Sequence, residues 1–399
     1  MKAYMNIVSI LLVFLMVLSL CACTKKEETD KNEWVNVVEI REGAISDTGY
    51  YYLNQGLLHY VDFQNGVNVC LCSKAGCTHD DSECEAEIML DLGGVFSTMF
   101  FWNGGIYFTT FGEYGWGLYR RNADGTGESK VATLCEKYMK EDPEIEVDAY
   151  FFTVAGNYVY YYGQVKAVVM QENITTSQTK LNALLRLDLR TGKEEILAEC
   201  YEKNKGLRLV AVRNDSAIYT LASYPGVYYG DENYNALAEK CQIQLLQWSE
   251  ETGESKVLLD KTWKEIGDSI TYAGGEFFCY PEDVRHSINL ETGALTRVEE
   301  MNDLLIINAD YGFLYDEEAD MCQVKNLKTG EVLPNEYGKY LFRFNIKCYS
   351  DDMLILTYRV ENEDGSKDDH YMFVTAESLA DGLQKEDATE FYVRHYSGL

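Results

Sequence analysis

Seven recurrences of an aromatic and β-branched strand, each followed by a second strand, a polar turn and a third strand, predict an all-β chain. Composition agrees: Tyr numbers 31 and Pro only 4, and apolar residues make up 46%. Helical periodicity is nearly absent, and Lys261 to Ile266 and Glu377 to Leu383 are the best short candidates. A repeat of about 35–60 residues with three or four short strands cannot bury both of its faces alone, so neighbouring units must stack around an axis. The expected architecture is therefore a β-propeller, most simply seven-bladed, with six or eight blades also compatible. Two stacked antiparallel domains are the competing arrangement, which the regular repeat disfavours.

The chain opens with Lys2 and an apolar run from Ile7 to Leu20, too short to span a bilayer comfortably but right for the core of a secretory signal. Leu20-Cys21-Ala22-Cys23 follows. This tetrad resembles the lipobox of bacterial lipoproteins, in which a small residue precedes the cysteine that is acylated and becomes the first mature residue. Cys23 fits that role; Cys21, preceded by leucine, does not. The resemblance implies a signal peptide over 1–22, a lipid on Cys23, such as palmitate, and a place on the extracellular face of the bacterial cell membrane. Each buried acyl methylene contributes roughly 0.8 kcal/mol, so two or three chains hold a protein stably at the surface. Thr24 to Glu33 (TKKEETDKNE) reads as a charged, flexible tether completing a segment over 23–34, with the propeller domain at 35–399.

Within that domain the recurring strands are Tyr50 to Leu53, Ile106 to Thr110, Tyr158 to Tyr162, Ala217 to Leu221, Glu276 to Tyr280, Tyr311 to Tyr315 and Met353 to Tyr358. The turns are Asn65-Gly66, Asp124-Gly125, Thr191-Gly192, Thr252-Gly253, Thr292-Gly293 and Thr329-Gly330. Glycine is expected there because tight hairpin turns need positive φ. The seventh unit departs from the pattern, its last hairpin running from Tyr371-Met372-Phe373 through Ala376 to Asp387 and back as Phe391-Tyr392-Val393. With strands labelled A to D from the axis outward, these glycine turns join C to D on one face, the turn face. The B to C connections and the D to A connectors then share the opposite face, the connector face. Two B to C connections read as long loops, Val165 to Lys180 and Ala222 to Cys241. The second carries Tyr224, Tyr228, Tyr229 and Tyr234, flat amphipathic rings suited to binding sugars or peptides.

The sharpest motif lies in the connector after the first unit. Cys70, Cys72, Cys77, His79 and Cys84 fall within the segment 70–84, which has little apolar content to hold its shape. Two staples are reasonable. Cys72, Cys77, His79 and Cys84 offer three thiolates and an imidazole to a tetrahedral ion, zinc or another divalent metal. Alternatively the four thiols pair as disulfides, with three connectivities, as is natural outside the cytoplasm, or one of them is a reactive redox thiol. The spacing C-x4-C-x-H-x4-C matches no common zinc finger. Cys135, Cys200, Cys241, Cys279, Cys322 and Cys348 complete the mature set, several in strand patterns where they read as small buried hydrophobes. So many free thiols on an exported chain fit an anaerobic habitat, which favours the metal.

On the lipobox, the first hairpin Tyr60 to Gly66 and the segment Leu71 to Cys84, the chain resembles a loosely characterised group of propeller lipoproteins from anaerobic Gram-positive bacteria. Where that group carries a proline before the second cysteine of the segment, this chain has Ala75. The resemblance implies location and fold, and no known reaction.

A net charge of −30 argues against nucleic acid as a partner, because phosphate binding needs clustered Lys and Arg. No nucleophile elbow, phosphate-cradling loop or His-Glu-x-x-His helix is present. His59, His286, His370 and His395 sit in strand patterns, where a structural role is the commoner outcome. Glu361 to Asp369 resembles a calcium loop only superficially, since Val360 holds the first ligand position. The expected function is a monomeric, non-catalytic module binding a small molecule, glycan or protein. A glycan-active enzyme with carboxylates converging at the channel, or a metal or redox sensor, is the alternative.

Overall fold

A computed structural model describes residues 34–37, 43–79, 84–88, 98–112, 115–142, 145–171, 174–201, 205–224, 240–267, 270–273, 275–298, 304–306, 310–316, 321–338, 345–350, 352–362 and 364–396. Seven small antiparallel sheets in a ring form a seven-bladed β-propeller. Blade 1 comprises Gly43–Ile45, Gly49–Asn54, Leu57–Asp62 and Asn68–Cys70. Blade 2 comprises Met99–Trp102, Gly105–Gly112, Gly115–Asn122 and Ser129–Thr133. Blade 3 comprises Ile145–Ala155, Tyr158–Gln171, Ile174–Asp188 and Lys193–Cys200. Blade 4 comprises Lys205–Arg213, Ser216–Ser223, Gln242–Ser249 and Glu254–Thr262. Blades 5 and 6 are smaller, the former Ile270–Ala273, Glu276–Cys279, His286–Ile288 and Leu295–Arg297, the latter Leu304–Ile306, Tyr311–Asp316, Met321–Asn326 and Val332–Leu333. Blade 7 comprises Asn345–Tyr349, Met353–Glu361, Lys367–Thr375 and Thr389–Tyr396.

The seven recurring strands of the sequence are the second strand of each blade, and the reason is burial on both faces. Successive side chains of a strand point to opposite sides. In Gly49–Asn54, Tyr50 and Tyr52 enter the seam with blade 7, whereas Tyr51 enters the seam with blade 2. All three rings are under 5% exposed. A strand buried on both sides therefore reads as a continuous aromatic run instead of alternating. Tyrosine suits such seams because its ring fills the space and its hydroxyl reaches a polar partner. Tyr160, for example, donates to the Arg213 carbonyl of blade 4 at 2.7 Å.

The six glycine turns join strands C and D as expected, with φ between 66° and 83°. The last hairpin of blade 7 returns through the short 3-10 turns Glu377–Leu379 and Lys385–Asp387. Each blade takes its four strands from one stretch of chain, so the ring closes by packing between blades 7 and 1. There Phe63 meets Phe373 with ring centroids 5.0 Å apart, and Tyr392 donates to the Asn54 side chain at 3.0 Å.

Two expectations change. Val165 to Lys180 is no loop: Tyr158–Gln171 and Ile174–Asp188 stay paired to Gln171 opposite Ile174, extending blade 3 as a long hairpin. Secondly, helix appears at Glu136–Glu141 as well as at Trp263–Ile266. The first is too short to show periodicity.

Candidate metal centre

The connector that leaves blade 1 is held at both ends by one residue. The Leu71 amide donates to the Leu58 carbonyl at 2.9 Å, and the Leu58 amide donates to the Ala86 carbonyl at 2.8 Å. Leu58 lies in a strand whose outer partner ends at Cys70, so the edge position beyond is free to take both legs of the excursion. Ala86 and Ile88 are buried in the wall between blades 1 and 2. The returning leg is also gripped from blade 2. Buried Arg121 donates to the Glu85 carbonyl at 2.8 Å and the Glu87 carbonyl at 2.6 Å, while its Nε reaches Glu128 at 2.8 Å. The Glu85 carboxylate in turn accepts from the Ser73 amide and hydroxyl, at 3.3 and 2.5 Å, tying the two legs together.

Inside this frame Cys72, Cys77, His79 and Cys84 converge, with their ligand atoms all within 4.8 Å of one another. His79 Nδ1 lies 3.3 Å from Cys84 Sγ. A tetrahedron of three sulfurs at ~2.3 Å and one nitrogen at ~2.0 Å from the metal has edges of roughly 3.5–3.8 Å, so a cluster whose ligand atoms lie within 4.8 Å of one another is near the size that zinc requires. Local sequence explains the convergence. The Cys77 amide donates to the Lys74 carbonyl at 3.2 Å, closing a turn over Ala75 and Gly76 in which Gly76 has φ 75°. Ala75 stands where proline would preset φ, and glycine supplies the positive φ of the next position. His79 also has positive φ, 58°, a conformation that costs a non-glycine residue about 1–2 kcal/mol and that turns the chain back on itself.

The amides that meet the sulfurs follow a pattern. Cys72 accepts from the Lys74 amide, Cys77 from that of His79 and Cys84 from that of Ala86, each two residues on. Such donors favour thiolate. Burial opposes ionisation of Cys72, yet the Lys74 and Glu85 amides together with the neighbouring thiols hold it below the ordinary range. The His79 amide favours the Cys77 thiolate, but burial and the sulfurs of Cys72 and Cys84 outweigh it and push that thiol up to about 11. Burial likewise raises Cys84. Three sulfurs this close resist joint ionisation unless a cation sits among them, and a divalent ion reverses that balance.

Cys70 is not one of the four converging ligands, though its thiol borders the cluster and hydrogen-bonds the Cys84 sulfur. It pairs in register with His59 at the end of its strand, and burial raises its thiol. His59 Nδ1 donates to the Asn68 Oδ1 at 3.4 Å, and burial lowers the His59 pKa. The nine cysteines whose side chains are described are all free thiols. Cys135, Cys200, Cys241, Cys279 and Cys322 are buried, as their strand and core patterns imply. His59, His286, His370 and His395 all lie in strands; His370 bonds Glu390 at 2.6 Å and His395 bonds Asp368 at 2.8 Å.

Cys23, Tyr228, Tyr229 and Tyr234 lie outside the described residues. Tyr224 is half-buried, its ring edge-on to Trp263 at 6.0 Å beside the seam of blades 4 and 5. It is three blades from the cysteine cluster. Leu58, Glu85 and Arg121 carried no sequence signal, because their role depends on distant segments meeting. No known family profile matches the chain, and no curated protein matches it by sequence. Among solved structures it is similar to oligogalacturonate lyase from Vibrio parahaemolyticus, at 11% identity and TM-score 0.41 over 72% of this chain and 74% of that one. It is also similar to TolB from Acinetobacter baumannii, at 11% identity and TM-score 0.36 over 84% of this chain and 76% of that one. Both likenesses are distant.

Proposed function

We propose that this chain is a lipid-anchored, non-catalytic binding propeller of the cell surface, with a structural zinc ion held by Cys72, Cys77, His79 and Cys84. The convergence of those four ligand atoms carries the reading. Three sulfurs and one imidazole form a soft, borderline donor set that suits zinc over magnesium or calcium. Four protein ligands also close the coordination shell, leaving no position for a substrate or reactive water; such a site holds a loop in shape. The lipobox around Cys23 supports the anchor. Binding is assigned to the connector face, where the metal loop, the 222–241 connection and the extended hairpins of blades 3 and 7 all belong by strand order.

Two experiments test the reading. Cys23→Ser abolishes incorporation of labelled palmitate and releases the protein from the membrane fraction; a variant that is still labelled removes the anchor. Presented with a panel of glycans and peptides, the zinc-loaded protein shows saturable binding without turnover. Cleavage of any member at enzymatic rates, above about 1 s⁻¹, overturns the non-catalytic assignment.

A further inference from the structure

The connector from blade 1 carries one thiol more than the proposed ion uses. Cys70 borders the cluster and is hydrogen-bonded to the Cys84 sulfur, without being one of the four ligands that converge. Both residues sit on pinned backbone. Cys70 ends its strand opposite His59, and the residue after it, Leu71, is bonded to Leu58. Cys84 comes two residues before Ala86, which is bonded to the same Leu58, and Arg121 grips the Glu85 and Glu87 carbonyls on that leg. The two sulfurs therefore meet at the neck of the loop, and the other three ligands lie on the chain between them.

Exposure separates Cys70 from the other thiols. Among the described cysteines, Cys84 and the five core residues are buried, whereas Cys70, Cys72 and Cys77 are half-buried. With a metal in place Cys72 and Cys77 are engaged. Cys70 is then the uncoordinated thiol that a small oxidant can reach, and it lies against a coordinated sulfur. We infer that Cys70 is a redox modification site that governs metal retention: a peroxide joins Cys70 to Cys84 as a disulfide, and the ion leaves. The inference rests on the zinc site proposed above and names its regulation.

The chemistry balances with hydrogen peroxide as the two-electron oxidant. The Cys70 sulfur attacks one peroxide oxygen, the O–O bond breaks, and the thiol becomes a sulfenic acid with release of water. The Cys84 thiolate then leaves the metal and attacks the Cys70 sulfur, so that the S–S bond forms as the S–O bond breaks and hydroxide departs. Each sulfur has given up one electron, and the peroxide has become water and hydroxide. Cys72, Cys77 and His79 remain, one short of the closed shell of a structural zinc site.

The test treats the full-length, anaerobically purified protein with hydrogen peroxide, follows released zinc with a chromogenic chelator and maps disulfides by fragment mass spectrometry. Wild type loses its zinc and carries a Cys70–Cys84 link, and a thiol reductant with added zinc restores the starting content. Cys70→Ser and Cys70→Ala hold about one zinc per chain beforehand and release it about ten-fold more slowly than wild type. Release from both variants at the wild-type rate, or a wild-type link that leaves out Cys70, overturns the inference. So does the absence of zinc from both variants before treatment, which makes Cys70 a ligand. A wild type that carries zinc and keeps it through the treatment overturns the switch and leaves the metal site standing. One that carries under about 0.2 zinc per chain as purified removes both.

Discussion

Cys77→Ser and Cys84→Ser each lose the metal. Anaerobically purified wild type carries about one zinc per chain, and either variant carries less than about 0.2, because removing one of four first ligands weakens binding by well over the ~10–100-fold typical of second-sphere changes. Cys70→Ser keeps its zinc, since that thiol belongs to the strand edge and lies outside the four converging ligands. The propeller stays folded in all three variants. Both legs of the connector are pinned by Leu58 and one also by Arg121, independently of any ion, so hydrogen exchange quickens over the loop between them and little elsewhere. Elemental analysis and exchange mass spectrometry read both effects. A wild type with under about 0.2 metal per chain, or a Cys70→Ser variant as depleted as Cys77→Ser, removes the zinc assignment.

Arg186→Ala destabilises the protein by about 3 kcal/mol, read as a lower midpoint in urea with little change in slope. Its side chain is 4% exposed in the seam of blades 3 and 4, between Tyr158 and Trp248, whose ring centroids are 4.2 and 4.4 Å from the guanidinium carbon. It also donates to Glu195 at 2.8 Å and to Glu250 at 3.0 Å. A desolvated cation–π contact contributes ~2 kcal/mol, and alanine adds a cavity between two rings that cannot close on it. Arg186→Lys recovers part of the loss, because an ammonium neither stacks flat nor spans both carboxylates. Glu250→Gln costs under about 1 kcal/mol, since that carboxylate is 45% exposed and water screens it. A loss below about 1 kcal/mol for Arg186→Ala shows that this seam tolerates the cavity.

The blades were legible because their cause is local. A strand buried on both faces must be apolar or aromatic throughout, as Tyr50 to Tyr52 are, and a two-strand turn must place glycine where φ is positive, as at Gly192. The Cys/His cluster was half legible. Spacing brought out Cys72, Cys77, His79 and Cys84, but the four thiols in the segment are chemically alike, and only pairing with His59 commits Cys70 to the sheet edge.

Sequence alone determined the repeat, its turns and the set of residues able to hold a metal, since each depends on side-chain chemistry within a few neighbours. Tertiary structure decided the rest. The grip of Leu58 and Arg121 on the connector, the continuation of the blade 3 hairpin and the seat of Val35–Asn36 against blade 4 are backbone hydrogen bonds between segments remote in the chain. Backbone amides and carbonyls are the same at nearly every position, so such contacts leave no mark on composition or spacing until the chain has folded.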